Sequence, residues 1–249
     1  MFINWYGVSD SGRVKEVNQD TILCDLLSLD GKDIGIFAVA DGVGGLEAGE
    51  IASAVAVNTL RQWWDDAILQ PDYERALSQT LQENIHRINL EMLNYQYNMA
   101  TTLSVLLILD DRYYILHIGD SRIYRYRNRM TDDVFEQLTL DHSSVVTASD
   151  RNGVPYQKGV LTDCLGRMSK EGYYSASDEI RQNDLFLLCS DGIYKTQSDK
   201  EIKRIISRNQ KNPAETCNML INGAKIKGET DNISAIAVKL SRKPFKKRQ

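Results

Sequence analysis

The sequence predicts an α+β domain. Strand-like runs fall into two groups with helical stretches between them, instead of alternating one strand with one helix as in a doubly wound sheet. The 249 residues hold only four prolines, no Gly/Ser- or Pro-rich linker and no fixed-period repeat, so one compact domain accounts for the chain.

Asp20 to Leu26 and Ile34 to Ala40 read as strands, the second an unbroken apolar run of the buried type. From Glu47 to about Trp64, Ile51, Val55 and Leu60 recur near helical spacing, with Ala54 and Val57 beside them. Pro71-Asp72 starts a second helix, running to about Leu93, with Ala76, Leu77, Leu81, Ile85, Ile88 and Leu93 as its apolar stripe. Thr101 to Leu109 and Tyr113 to Ile118 form a hairpin around Asp110-Asp111. Ile123 to Arg127 and Val134 to Leu138 continue the meander. Asp141 to Asp178 shows no period, and a stretch of that length without one reads as a functional loop or lid. Leu185 to Cys189 and Ile233 to Leu240 are two more strands, separated by helices over about Ser198–Arg208 and Pro213–Ile226.

Composition excludes several classes. Hydrophobic residues make up 42% and charged residues 26%, ordinary globular usage. Thirty Lys and Arg against 34 Asp and Glu leave a formal charge of -4, which offers no general electrostatic footprint for nucleic acid. No apolar run approaches the roughly 20 residues of a membrane-spanning helix. The N-terminal segment has no leader signature, so Cys24, Cys164, Cys189 and Cys217 are expected to be reduced thiols and the protein cytoplasmic. The one charge cluster is the basic tail over 242–249, expected to be a solvated terminus.

The chemistry lies in aspartates placed where strands meet turns. Asp41 (AVADGVGG) and Asp191 (LLCSDG) each end a buried-type run. Asp120 stands in HIGDSR, Asp231 in ETDN, and Asp20 opens a strand after Asn-Gln. One Asp-Gly after a strand is ordinarily a turn residue. Several carboxylates brought together repel one another and are costly to bury unless paired or metal-bound. A hard divalent cation such as Mg²⁺ or Mn²⁺ resolves that repulsion with oxygen ligands, and Gly42 would let a backbone carbonyl approach it.

Other catalytic classes fit poorly. A cysteine phosphatase needs Arg six residues after Cys, where Cys164 and Cys189 have Lys170 and Lys195. From Gly7 the chain has Walker A glycine spacing, but Arg13 and Val14 stand where Lys and Ser/Thr are needed. His86, His117 and His142 have no zinc spacing, and no G-x-S-x-G elbow occurs.

Eight strings, in order over nearly the whole chain, resemble the metal-dependent Ser/Thr protein phosphatases of the protein phosphatase 2C (PPM) type in their compact bacterial form. They are SDSGRVKEVNQD, FAVADGVGG, ATTLSVLLI, HIGDSRIYRYR, QLTLDHS, LTDCLG, DLFLLCSDGI and GETDNISAIAV. The resemblance implies a four-layer α-β-β-α sandwich: two antiparallel sheets, a helix pair outside each and a two-metal site between them. It implies a catalytic domain over 1–241 with a flap at about 141–178, followed by the tail. It further implies that Asp41 bridges two Mg²⁺ or Mn²⁺ ions, the Gly42 carbonyl completes one, and Asp191 and Asp231 hold the other. Asp20 would act through metal-bound water, and Asp120 with Asp191 would take a looser third ion. A hydroxide bridging the ions would attack phosphorus of phosphoserine or phosphothreonine in line. Implied partners are a phosphorylated protein and a cognate bacterial Ser/Thr kinase. Nothing in the sequence demands more than a monomer.

Three departures matter. The family's phosphate-gripping Arg, five residues before Asp20, is Lys15 here, a point charge without a bidentate fork. Arg13 would share its face if the segment were extended. Val43 replaces a His found in larger relatives, leaving His142 as a weak stand-in acid, and the stretch over 143–160 is short. Two other readings stay open at this point: a catalytically weak scaffold that binds phosphoproteins, and a phosphohydrolase of small molecules.

Overall fold

The computed structural model describes residues 1–29, 31–44, 46, 48–95, 98–129, 132–149, 154–167 and 172–241. Two five-stranded antiparallel sheets form its centre. The first contains β1 (Phe2–Asp10), β6 (Arg122–Arg127), β7 (Val134–Gln137), β11 (Leu185–Cys189) and β12 (Ile233–Ser241), in the order β1-β12-β11-β6-β7. The second contains β2 (Asp20–Leu29), β3 (Lys32–Asp41), β4 (Leu103–Leu109), β5 (Arg112–Ile118) and β10 (Tyr174–Glu179), in the order β10-β5-β4-β3-β2.

Strand alternation sends one set of side chains inward and the other toward helices. Phe37, Val39, Leu106 and Ile108 from the second sheet meet Phe186, Leu188, Ile236 and Val238 from the first in one buried cluster. Tyr113 packs edge-on against Phe186, ring centroids 5.2 Å apart. Ile36, Ala38, Leu103 and Leu107 face the other way and pack under α1 (Gly49–Ile68), α2 (Tyr73–Thr80) and α3 (Glu83–Leu93). Leu187, Cys189, Ala235 and Ala237 pack under α5 (Asp199–Asn209) and α6 (Pro213–Ile226). The layers are therefore helix, sheet, sheet, helix, as expected.

Local chemistry sets the helix boundaries. Ser198 and Glu201 form a capping box at α5, and Pro213 opens α6. The buried stripe of α1 runs through Ala52, Ala56, Leu60 and Trp64, whereas Ile51 and Val55 lie at its margin. The single helix expected over 72–93 is two. The Asn84 side chain donates to the carbonyls of Leu81 (3.1 Å) and Thr80 (3.4 Å), and the Asn84 and Ile85 N–H groups turn to carbonyls three residues back. A side chain competing for helix carbonyls breaks the ladder there. Leu93, expected on the buried stripe, is exposed.

Two further expectations are corrected. The stretch over 141–178, expected to lack regular structure, contains β8 (Ser143–Ser149) and β9 (Pro155–Leu161), paired as a separate hairpin, and β10, paired with β5. β8 is exposed along nearly its whole length, so it has no buried face to write a period into its sequence. β1, not predicted as a strand, pairs with β12 from Phe2↔Ser241 to Asp10↔Ile233. The basic tail over 242–249, Glu47 and part of the expected flap (150–153 and 168–171) lie outside the described residues.

Candidate metal and phosphate site

All five predicted aspartates sit where the two sheets meet at one end. Asp20 opens β2 and is the direct cross-strand partner of Asp41, the last residue of β3. The Asp41 N–H donates to Thr102 Oγ1 (3.0 Å), and its carbonyl accepts from the Thr102 N–H (2.9 Å) and Thr101 Oγ1 (2.9 Å). Gly42 follows, with its N–H on the Gln19 carbonyl at 3.0 Å. A Cβ there would lie 2.3 Å from the Gly49 carbonyl oxygen, so only glycine lets the strand end pass this close to the start of α1.

The first sheet contributes the facing residues. β11 ends at Cys189, Ser190 follows, and Asp191 begins the single-turn α4 (Asp191–Tyr194). Asp231 precedes β12 in a tight turn: the buried Glu229 carboxylate accepts the N–H groups of Thr230 (2.8 Å) and Asp231 (3.0 Å). Asn232 ties this turn to the start of β2, accepting the Gln19 N–H at 2.9 Å and donating to the Ser11 and Val17 carbonyls. Asp120 follows Gly119, and its carbonyl accepts Tyr194 Oη at 2.8 Å.

Asp20 is 6% exposed, and its Oδ2 accepts Ser190 Oγ (2.8 Å) and Ser234 Oγ (2.6 Å). Its Oδ1 is buried without a hydrogen-bond partner, and so is Oδ1 of Asp191, a residue 8% exposed. Burial, with the neighbouring charges of Asp191 and Asp231, pushes the Asp20 carboxyl up to about 6 against the pull of the two serines. Burial and then Asp20, Asp191, Asp120 and Asp231 push Asp41 well above the ordinary carboxylate range. Asp120 rises to about 6 through burial and Asp191. Asp191 is also raised by burial, although Lys195 opposes the shift.

Two ammonium groups stand among these carboxylates. Lys195 Nζ pairs with Asp191 Oδ2, and Lys15 Nζ lies 3.3 Å from Asp231 Oδ1. Among the described residues, no three Asp, Glu, His or Cys side chains form a ready-made ligand shell. The donor set nevertheless fits a hard cation. It is all oxygen, it keeps two buried carboxylate oxygens unused, and only Asp231 and Asp191 among its carboxylates pair with a lysine.

Residues 12–14 form a turn and 16–17 a bend, not an extended run, with Gly12 at φ 78°. Alternation therefore does not place Arg13 on the face of Lys15. Lys15 turns into the site and Arg13 is exposed. His142 accepts the Gly119 N–H at Nδ1 (3.2 Å), and its ring lies 5.1 Å from that of His117. His117 is fully buried between Ser104 Oγ (2.8 Å) and the Leu140 carbonyl (3.0 Å), and burial pushes it down to about 4, so it stays neutral.

Sequence reasoning missed the supporting residues Ser190, Ser234, Glu229, Asn232 and Lys195. Ser190 and Asn232 adjoin motif aspartates and Glu229 lies two residues from Asp231, so proximity was an available signal. For Lys195, its i+4 spacing from Asp191 at the start of a helix was the clue.

The two facing sheets with acidic side chains gathered at one end fit a phosphohydrolase fold that can take a cation. The model of the protein phosphatase 2C family matches residues 12–220. The chain is 30% identical over 245 residues to the serine/threonine phosphatase stp of Listeria innocua, covering 92% of this chain and 93% of that one. The solved structure of PppA, a key regulatory component of T6SS in Pseudomonas aeruginosa, superposes with a TM-score of 0.70 at 28% identity, covering 96% and 99% of the two chains. The catalytic domain of the phosphatase PstP in complex with two manganese ions superposes with a TM-score of 0.69 at 25% identity, covering 96% and 98%. The chain belongs to the protein phosphatase 2C family, and its activity class is that of a protein-serine/threonine phosphatase.

Proposed function

We propose that this phosphatase removes phosphate from phosphoserine and phosphothreonine side chains of proteins with two divalent cations, Mg²⁺ or Mn²⁺, held at the sheet ends. Asp41 and the Gly42 carbonyl would hold one side, Asp191 and Asp231 the other, with Asp20 at the edge. The observation that carries this reading is the pair of unused buried oxygens, Asp20 Oδ1 and Asp191 Oδ1. A buried carboxylate oxygen without a donor is costly unless a ligand answers it. Two such cations supply charge that makes water nucleophilic near neutral pH and offsets the negative charge of the phosphoryl oxygens.

The chain's own residues do the rest. Ser190 and Ser234 fix Asp20 by donating to Oδ2, which leaves Oδ1 directed elsewhere. Thr101 and Thr102 hold the Asp41 backbone at the strand end. Lys15, half-buried at the rim, is the phosphate contact: its Nζ can exchange Asp231 for a phosphate oxygen at little distance. Arg13, on the exposed turn beside it, is a second candidate that would meet phosphate only by reaching back. The hairpin β8–β9 is proposed as the flap that meets the substrate protein. Under this reading the enzyme reverses a cognate Ser/Thr kinase and acts as a cytoplasmic monomer. No helix among the described residues is long and apolar enough to cross a membrane.

The test is phosphate release from a phosphothreonine peptide and, in parallel, from a nucleotide and a sugar phosphate, with Mn²⁺ titrated against EDTA. The reading expects metal-dependent turnover favouring the peptide. Preference for the small molecules would shift the substrate class, and no metal-dependent turnover from folded protein would leave a binding scaffold.

A further inference from the structure

Asp191 divides its two oxygens. Oδ1 is buried without a partner, whereas Oδ2 pairs with Lys195 Nζ. Lys195 is the C-cap of the single-turn α4, and its N–H donates to the Asp191 carbonyl. That bond places its side chain directly over the carboxylate, in the i,i+4 relation. Its ammonium also acts electrostatically on Asp120 and Asp41. Tyr194, the residue before Lys195, donates to the Asp120 backbone carbonyl at 2.8 Å and so ties that stretch of chain to α4. Tyr194 is in turn clamped by Arg122, whose guanidinium carbon lies 3.6 Å from its ring centroid and whose nitrogens hold Asp141. A positive charge is therefore tethered to the Asp191–Asp120 edge by the fold itself.

We infer that Lys195 is a built-in cation that occupies the Asp191–Asp120 edge and keeps a third divalent ion from binding there, so that the site takes two ions. The inference rests on the metal reading above and goes beyond it in assigning one carboxylate edge to a lysine. The physical reason is charge balance. An ammonium on Asp191 Oδ2 answers that oxygen without a metal, and a dication brought to the same edge would meet like charge at contact distance. The unused Oδ1 atoms of Asp191 and Asp20 stay open to the two-ion centre. A lysine can do this while remaining half-exposed, because its long stem reaches the carboxylate from the rim.

The experiment counts Mn²⁺ bound per chain, by isothermal titration calorimetry and by free-Mn²⁺ electron paramagnetic resonance, in the wild type, Lys195→Gln and Lys195→Arg. Thermal melts in EDTA establish that each is folded, and Lys195→Ser replaces Lys195→Gln if the latter is not. The wild type and Lys195→Arg are expected to bind two ions. Lys195→Gln is expected to bind a third, with affinity for that ion raised about tenfold or more, since a repelling charge near a dication is removed. A Lys195→Gln protein that binds two ions with unchanged affinity, or a wild type that already binds three, would overturn the inference while leaving the metal centre intact. A folded wild type that binds no Mn²⁺ would overturn the metal reading itself.

Discussion

Replacing Asp20 by Asn should stabilise the metal-free protein at neutral pH and not in acid. Asp20 is 6% exposed, and its carboxyl is pushed from the ordinary 3.8 up to about 6, first by burial and then by Asp191 and Asp231. At about 1.4 kcal/mol per pH unit, holding it ionised burdens the folded state by about 3 kcal/mol. The burden is absent below about pH 4, where both states are protonated. It grows as pH rises toward 6 and is fully present above that. Asn keeps an oxygen to accept from Ser190 and Ser234, so the hydrogen bonds that hold the position survive. For a chain of this size, about 3 kcal/mol corresponds to a rise in melting temperature of roughly 6–12 °C. Thermal melts of wild type and Asp20→Asn in EDTA, at pH 4 and pH 7.5, measure it. A gain at pH 7.5 that shrinks toward zero at pH 4, together with weakened Mn²⁺ binding, is the expected result. Equal melting temperatures at pH 7.5, or an equal gain at both pH values, would refute the reasoning.

Three other perturbations test separate parts of the molecule. Gly42→Ala puts a Cβ 2.3 Å from the Gly49 carbonyl oxygen and should destabilise by about 3 kcal/mol or more, read as a lowered melting temperature; an unchanged melt contradicts the close approach. Lys15→Ala should raise KM for a phosphothreonine peptide about tenfold, the worth of one charge-assisted contact, with Lys15→Arg restoring it; an unchanged KM would remove Lys15 from the phosphate site. Arg127→Met leaves the fully buried Asp184 without its two 2.7 Å bonds and should cost about 3–5 kcal/mol in urea unfolding, and a loss below 1 kcal/mol would contradict a desolvated pair.

Legibility in the sequence followed burial. β3, β4 and β11 are buried along almost their whole length, so their apolar runs announced them. β8 and β10 were not legible because water covers most of both, and β1 because half-burial at a sheet edge leaves no clear alternation. The break between α2 and α3 depends on where one Asn84 amide points, which a periodicity cannot carry. The aspartates were legible as strand-end residues, and the structure brings all five to one end. Their partners are distant in sequence: Asp20 meets Ser190 and Ser234, respectively 170 and 214 residues away. The division between Lys15 and Arg13 turned on an assumed extended segment that Gly12 and the following turn replace.

The central claim is that carboxylates at the sheet ends carry metal-dependent removal of phosphate. Asp41, cross-strand partner of Asp20 and under the charge of every other site aspartate, is the position that tests it most directly. Turnover of a phosphothreonine peptide by wild type and Asp41→Asn, across a Mn²⁺ titration and with melting temperatures in the same buffers, is the decisive measurement. A folded Asp41→Asn protein with turnover lost at every Mn²⁺ concentration is the predicted result. Full turnover from that folded variant would contradict the account.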